Sequence, residues 1–267
     1  MLAPLHPRPR AGGPGGVALG SLPAIWSSAS AQGPRRHLAD AAAGHRSAVT
    51  SRVAVAVADG VGDSGSARHA AALVADHAVR VATSEPARGA TDTDAVVTAI
   101  TASRDLLVSA GVHATGDAAL VVALGPRPGE RWWTVAWVGD CRAYRRDGAV
   151  LRQITRDHTV GAHLRGFGIA ARPALDHVLT TSVRTVGKGE VGVVTVAAPD
   201  GLLLVTDGVH RSVPAAQLAA VTGAEAPVEA RTAWLLDAAA RAGTSDNATA
   251  LVVDAVGIPA PRLPLPR

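Results

Sequence analysis

Hydrophobic positions along the chain follow two rhythms. Val-, Ala- and Leu-rich runs, often alternating with period two and bounded by Gly, Pro or Asp, predict strands near 19–29, 53–58, 118–124, 132–138, 142–146, 149–154, 191–197, 202–206 and 249–254. Asp147-Gly148, between two of these runs, is a strong hairpin signal, so antiparallel pairing is expected. Helical spacing is less frequent and predicts helices over 66–81, 94–110, 214–221 and 228–242. Val96, Val97, Ile100 and Leu107 mark the apolar side of the second; Trp234, Leu235 and Ala238 mark the last, which Gly243 stops. Strands come in series and long helices in pairs. That order predicts an α+β fold, a β-sandwich of two mainly antiparallel sheets flanked by helix pairs, rather than strict βαβ alternation. There is no internal repeat of fixed period.

Composition narrows the class. At 267 residues and 48% hydrophobic, the chain can bury a large core. The pattern places one domain over 17–255, between a Pro/Gly-rich tail at 1–16 and a Pro-rich tail at 256–267. The first 31 residues carry two arginines and end in "SASA", but Pro and Gly interrupt the apolar stretch that a signal peptide needs. No uninterrupted apolar run reaches the roughly 18 to 20 residues of a membrane span. A single cysteine, Cys141, rules out an internal disulfide framework or a Cys-rich zinc site and fits a cytoplasmic location. The net charge of +4 comes from scattered arginines, with Lys188 the only lysine. Without a basic stripe or interleaved aromatics, neither a nucleic-acid nor a membrane partner is expected.

Two apolar runs drive into an Asp-Gly: "VAVAVADGVGDSG" at 53–65 and "LLLVTDGVH" at 202–210. A carboxylate at the mouth of a buried strand costs on the order of several kcal/mol unless something positive meets it. Gly60, Gly62 and Gly65 spell a dinucleotide fingerprint, with Glu85 following, but Asp59 would face the pyrophosphate and the later strands pair as hairpins. "GDSG" at 62–65 resembles the nucleophile segment of chymotrypsin-like proteases, yet too little chain precedes it to supply the His and Asp. What survives is a set of aspartates at strand ends and turns: Asp40, Asp59, Asp140, Asp207 and Asp246. Two carboxylates about 4 Å apart repel by roughly 4 kcal/mol at an effective dielectric near 20, a penalty that a divalent cation removes. Hard oxygen donors without Cys or paired His favour Mg²⁺ or Mn²⁺ over zinc.

Six segments then fall in a recognisable order: "GPRRHLAD", "VAVADGVGDSG", "ATGDAALVVAL", "WVGDCRAYRRDGAVLRQITRDH", "LLLVTDGV" and "GTSDNATALVV". Together, over about residues 20–255, they resemble the bacterial metal-dependent PPM-type (type 2C) serine/threonine protein phosphatases. The resemblance implies hydrolysis of phosphoserine and phosphothreonine in proteins, with serine/threonine kinases as functional counterparts, two to three Mg²⁺ or Mn²⁺ ions, and a monomer. It implies that Asp59 bridges two ions, that the Gly60 carbonyl faces the first, and that Asp207 and Asp246 hold the second. Asp140 matches the acid of a third position, with Asp40 at the edge of the cluster. Arg35 matches the phosphate-binding arginine, with Arg36 the alternative. Asp157 and Asn247 match supports behind the ligands, and 158–186 matches a flap beside the cleft.

By the same resemblance, a metal-activated water attacks phosphorus while Arg35 and the ions absorb phosphoryl charge. Cys141 is expected to pack, not to act as a nucleophile. The chain also departs from the family pattern. Leu38 and Ala39 stand where the family has Asn and an acidic residue or Gln, Val61 offers no acid for the leaving group, and Asp63 adds a charge to a loop usually rich in glycine. These departures predict weaker metal affinity and keep open a non-catalytic sensor or scaffold of the same fold, with a dinucleotide-binding protein as the remaining alternative.

Overall fold

The computed structural model describes residues 25–84, 89–109, 116–127, 130, 132–197 and 200–254. Both terminal tails and the start of the strand expected at 19–29 lie outside them. In chain order the elements are β1 (Ile25–Ala31), β2 (Asp40–Arg46), β3 (Val53–Gly60), α1 (Gly65–Ala82), α2 (Asp92–Ser109), β4 (Ala118–Leu124), β5 (Trp132–Val138) and β6 (Arg142–Asp147). There follow β7 (Val150–Gln153), α3 (Val160–Gly166), a 3₁₀ turn (Pro173–His177), β8 (Gly192–Ala197), β9 (Gly201–Val205), α4 (Asp207–His210), α5 (Ala215–Thr222), α6 (Val228–Arg241) and β10 (Ala248–Asp254). The strands form two five-stranded sheets, ordered β1-β10-β9-β6-β7 and β2-β3-β4-β5-β8. Every pairing between these strands is antiparallel, which is incompatible with the doubly wound parallel sheet of the dinucleotide reading.

Alternation along each strand sorts its side chains between two cores. In β3, Ala54, Ala56 and Ala58 face α1 and α2, while Val53, Val55 and Val57 point between the sheets. Small residues on the outer side let α1 approach closely, and β-branched residues fill the sandwich. In β4 the sizes are reversed, with Leu120, Val122 and Leu124 outward and Ala119, Val121 and Ala123 inward. On the other sheet Leu202 and Leu204 point inward with Leu251 and Val253, while Leu203, Val205, Ala250 and Val252 pack against α6. The result is helix pair, sheet, sheet, helices.

The sequence misses β2, and the reason is physical. "DAAAGHR" has low strand propensity, and it forms an edge strand whose register is set by β3 and by Gly44 seating the Trp26 indole. The chain turns sharply at Gly148-Ala149, with Gly148 at φ +57°, so the hairpin loop lies one residue later than the Asp147-Gly148 signal. Ser64 of "GDSG" caps α1, its hydroxyl accepting from the Ala67 N–H at 3.1 Å, which gives the motif a structural role.

One pH effect follows from the helix pair. His77 on α1 lies between the helices, its Nδ1 3.2 Å from Ser103 Oγ, and burial lowers its pKa from the usual 6.5. The folded chain therefore prefers neutral His77, so the associated stability is complete above about pH 6.5 and is lost as pH falls through that value toward the folded pKa. Relative to wild type, His77→Gln is expected to flatten the loss of unfolding free energy between pH 7 and pH 5, as followed by urea titration.

Candidate metal centre

β3 and β9 end side by side at one end of the sandwich, where Asp59, Gly60 and Asp207 open onto a cleft of about 180 Å³. The cleft is lined by Asp59, Asp140, Asp207 and Asp246, together with Arg35, Gly60, Asn247, His177 and others. Asp59 is the second-to-last residue of β3, and Asp40, its cross-strand partner on β2, is buried beside it. Asp207 begins α4 directly after β9. Asp246 and Asn247 lie in the turn entering β10. Asp140 sits in the crossover from β5 to β6, where Gly139 adopts φ +85°.

Both Asp-Gly glycines are required by packing. A Cβ on Gly60 would collide with the Ala67 carbonyl and lie 2.8 Å from the Ala39 carbonyl oxygen. A Cβ on Gly208 would collide with the Asn247 carbonyl, its carbon only 2.8 Å away. Glycine thus lets the two acidic strand ends approach neighbouring backbone.

The acids are strongly perturbed. Burial, opposed by hydrogen bonds from Thr206 and Thr249, pushes Asp40 up to about 7. Burial and then repulsion from Asp40 drive Asp59 well above the usual carboxylate range. Asp140 is likewise pushed up to about 7 by burial and by Asp207, and burial also raises Asp207. Asp40 Oδ2 accepts from Thr206 Oγ1 at 2.8 Å, but Oδ1 of Asp40 and Oδ1 of Asp207 are buried without a partner. Such orphaned, desolvated oxygens are the donors a hard cation would satisfy.

The positive groups that meet these acids in the structure are arginines. Arg35 Nη2 pairs with Asp246 Oδ2 at 2.6 Å, and Arg211 Nη2 with Asp140 Oδ2 at 2.7 Å. Arg211 Nε also stands 3.4 Å from Asp207 Oδ2. With the carboxylates so turned, no three His, Cys, Asp or Glu side chains among the described residues are closed around one point at ion-holding distance. Arg211 had no signal in the sequence beyond its position four residues after Asp207, which on one helical turn puts the two on the same side.

The remaining expected residues divide clearly. Arg35 faces the cleft, whereas Arg36 gives its backbone N–H to Asp63 at 3.0 Å and does not line it. Asp63 also accepts from the His37 backbone at 2.9 Å, so the extra charge in the glycine loop fastens the turn that carries Arg35. Asn247 joins three segments, accepting from the Ala39 N–H at 2.7 Å and donating to the Gln32 carbonyl at 2.6 Å. Asp157 does not line the cleft and is held by Arg142 through bonds of 2.9 and 2.7 Å. Arg142 begins β6, and its planar guanidinium meets the Asp157 carboxylate with two parallel donors. Ala39 is buried, its N–H taken by Asn247 and its carbonyl by the Gly60 N–H. Cys141 is fully buried between the sheets, and burial, reinforced by the nearby acids, keeps it a thiol.

Residues 158–186 form a structured excursion over this end of the sandwich. It leaves with the His158 N–H on the Gly139 carbonyl at 2.9 Å and returns with the Val183 N–H on the Ala118 carbonyl at 2.9 Å. Ser182 and the Arg184 N–H both bond Asp117, which anchors the returning limb beside β4. His177 and Leu179 bring it to the edge of the cleft.

A profile of the protein phosphatase 2C family matches residues 33–247. Over 127 residues the chain is 32% identical to the serine/threonine phosphatase Stp of Listeria innocua, covering 45% of this chain and 50% of that protein. The chain thus spans about half the length of the curated relatives it matches. Among solved structures, Stp1 of Staphylococcus aureus superposes with a TM-score of 0.76 at 21% identity, covering 92% of this chain and 100% of that one. The catalytic domain of the serine/threonine phosphatase PstP, solved with two manganese ions, superposes with a TM-score of 0.69 at 24% identity, covering 88% and 99%.

Proposed function

This chain belongs to the protein phosphatase 2C family, and from that premise we propose that it hydrolyses phosphoserine and phosphothreonine esters in proteins with Mg²⁺ or Mn²⁺. The observation that carries the reading is the gathering of Asp59, Asp140, Asp207 and Asp246 on one cleft with Arg35 at its rim. The donor set fits hard divalent ions: it is all oxygen, its carboxylates are desolvated, and Asp40 and Asp207 each keep a buried oxygen without a partner. Asp59, the Gly60 carbonyl, Asp207 and Asp246 would hold the ions, with Asp40 beside Asp59. When bound, such ions polarise a phosphoryl oxygen and make water a competent nucleophile at neutral pH.

The chain's own groups do the rest. Arg35, partly exposed at the rim, can exchange the Asp246 carboxylate for a phosphate dianion and orient it through two parallel N–H donors. Asn247 and Asp63 hold the two loops that place Asp246 and Arg35 opposite each other. The buried thiol of Cys141 takes no part. No helix of the described residues is long and apolar enough to cross a membrane. A cytoplasmic monomer that reverses serine/threonine kinases is the setting this reading implies.

The test is Mn²⁺-dependent release of phosphate from p-nitrophenyl phosphate and from a phosphothreonine peptide by the full chain. Activity is expected to vanish in excess chelator and to return on readdition of Mn²⁺. Hydrolysis undiminished by chelator contradicts the proposal, and a Mn²⁺-induced thermal shift without phosphate release identifies a non-catalytic sensor instead.

A further inference from the structure

Resting on the phosphatase reading, we infer that Arg211 is a resident cation of the centre: its guanidinium occupies at Asp140 the position of a third divalent ion, so the cleft takes two ions and no more. Asp140 is the acid that resemblance assigned to a third ion, and in this chain its carboxylate is already met by Arg211 Nη2 at 2.7 Å. The same guanidinium reaches Asp207 through Nε at 3.4 Å, so it lies between the two acids.

The guanidinium is built in place. Arg211 closes α4, its N–H bonding the Asp207 carbonyl at 2.9 Å, which puts it one helical turn from Asp207. Its Nη2 donates to the Asp176 carbonyl at 2.5 Å, and its Nη1 meets His177 Nδ1. The preceding residue holds the other end of the same acid: His210 Nε2 stands 3.0 Å from the Asp140 carbonyl. Burial pushes His210 down to about 3, so the ring is neutral and adds no competing charge. The last residue of α4 and the arginine that caps it thus fix both the backbone and the carboxylate of Asp140.

A guanidinium stays protonated at any working pH and has no lone pair to offer a metal. An ion arriving at Asp140 would meet a like charge a few ångströms away in a partly desolvated site, where repulsion is poorly screened. Arg211 therefore neutralises Asp140 without supplying Lewis acidity. It also ties the 173–177 turn to the acidic centre, a link that a hydrated ion would not make to the Asp176 carbonyl and His177 together.

Equilibrium dialysis of the full chain against saturating Mn²⁺, with metal counted per chain, tests this directly. Wild type is expected to hold two ions, and Asp140→Asn also two, because Asp140 serves Arg211 rather than an ion. Arg211→Gln is expected to admit a third ion, whereas Arg211→Lys, which keeps the charge, stays at two. Three ions in wild type, loss of one in Asp140→Asn, or an unchanged count of two in a folded Arg211→Gln each overturn the inference. Fewer than two ions in wild type overturn the phosphatase reading beneath it. Should Arg211→Gln not fold, the first two measurements still decide.

Discussion

Asp59→Asn is expected to lower phosphomonoester hydrolysis by on the order of a thousandfold while raising the unfolding midpoint of the metal-free protein. The first half follows from charge. As a proposed holder of the ions, Asp59 would contribute on the order of several kcal/mol to stabilising phosphoryl charge, and each factor of ten in rate is about 1.4 kcal/mol. The second half follows from the perturbed acids. Burial and Asp40 hold Asp59 well above the usual carboxylate range, so an ionised Asp59 costs the metal-free fold more than it costs the unfolded chain. Asparagine removes that cost. The checks are kcat/KM for an aryl phosphate with Mn²⁺ and thermal melts in chelator. Unchanged hydrolysis would remove Asp59 from the chemistry, and a lower metal-free midpoint would mean its charge is not a burden on the fold.

Gly208→Ala is expected to cost about 3 kcal/mol, the upper end of the overpacking range, although it adds one methyl group. The obstacle is the Asn247 carbonyl, part of the backbone, and it cannot swing aside as a side-chain tip would. Moving it would disturb the turn that carries both Asp246 and the Asn247 bonds to Gln32 and Ala39. Gly65→Ala is the matched control: it begins α1 with nothing within 4 Å of the added carbon, and is expected to be neutral or to stabilise by up to about 1 kcal/mol. Guanidinium titration of both variants measures the contrast, and equal midpoints would show that the collision is relieved at little cost.

These two glycines also show how far sequence carries. The strand signal in 53–58, 118–124 and 202–206 is decisive because each run is almost wholly apolar and its strand is buried on both sides. The Asp-Gly ends are legible for the same reason, since charge at the end of an apolar run stands out. The edge strand Asp40–Arg46 is not, because Ala, Gly and His carry no strand signal and its place is dictated by β3. Pairings between remote segments are equally silent. Nothing local marks that Arg142 will claim Asp157, that Asp63 will hold the Arg35 turn, or that Arg211 will reach Asp140 from a helix of four residues. Those depend on chain segments brought together by the crossover from β5 to β6 and by the return from the 158–186 excursion.

The acids of the cleft hang from opposite halves of the sandwich, Asp40 and Asp59 from one sheet and Asp207 from the end of the other, with Asp246 beside it. An ion gripped from both halves would act as a rivet through them. Loading would then resist shear between the two layers, and a substitution far away in the interior that lets them slide by an ångström would be felt first as slackened grip on the ion.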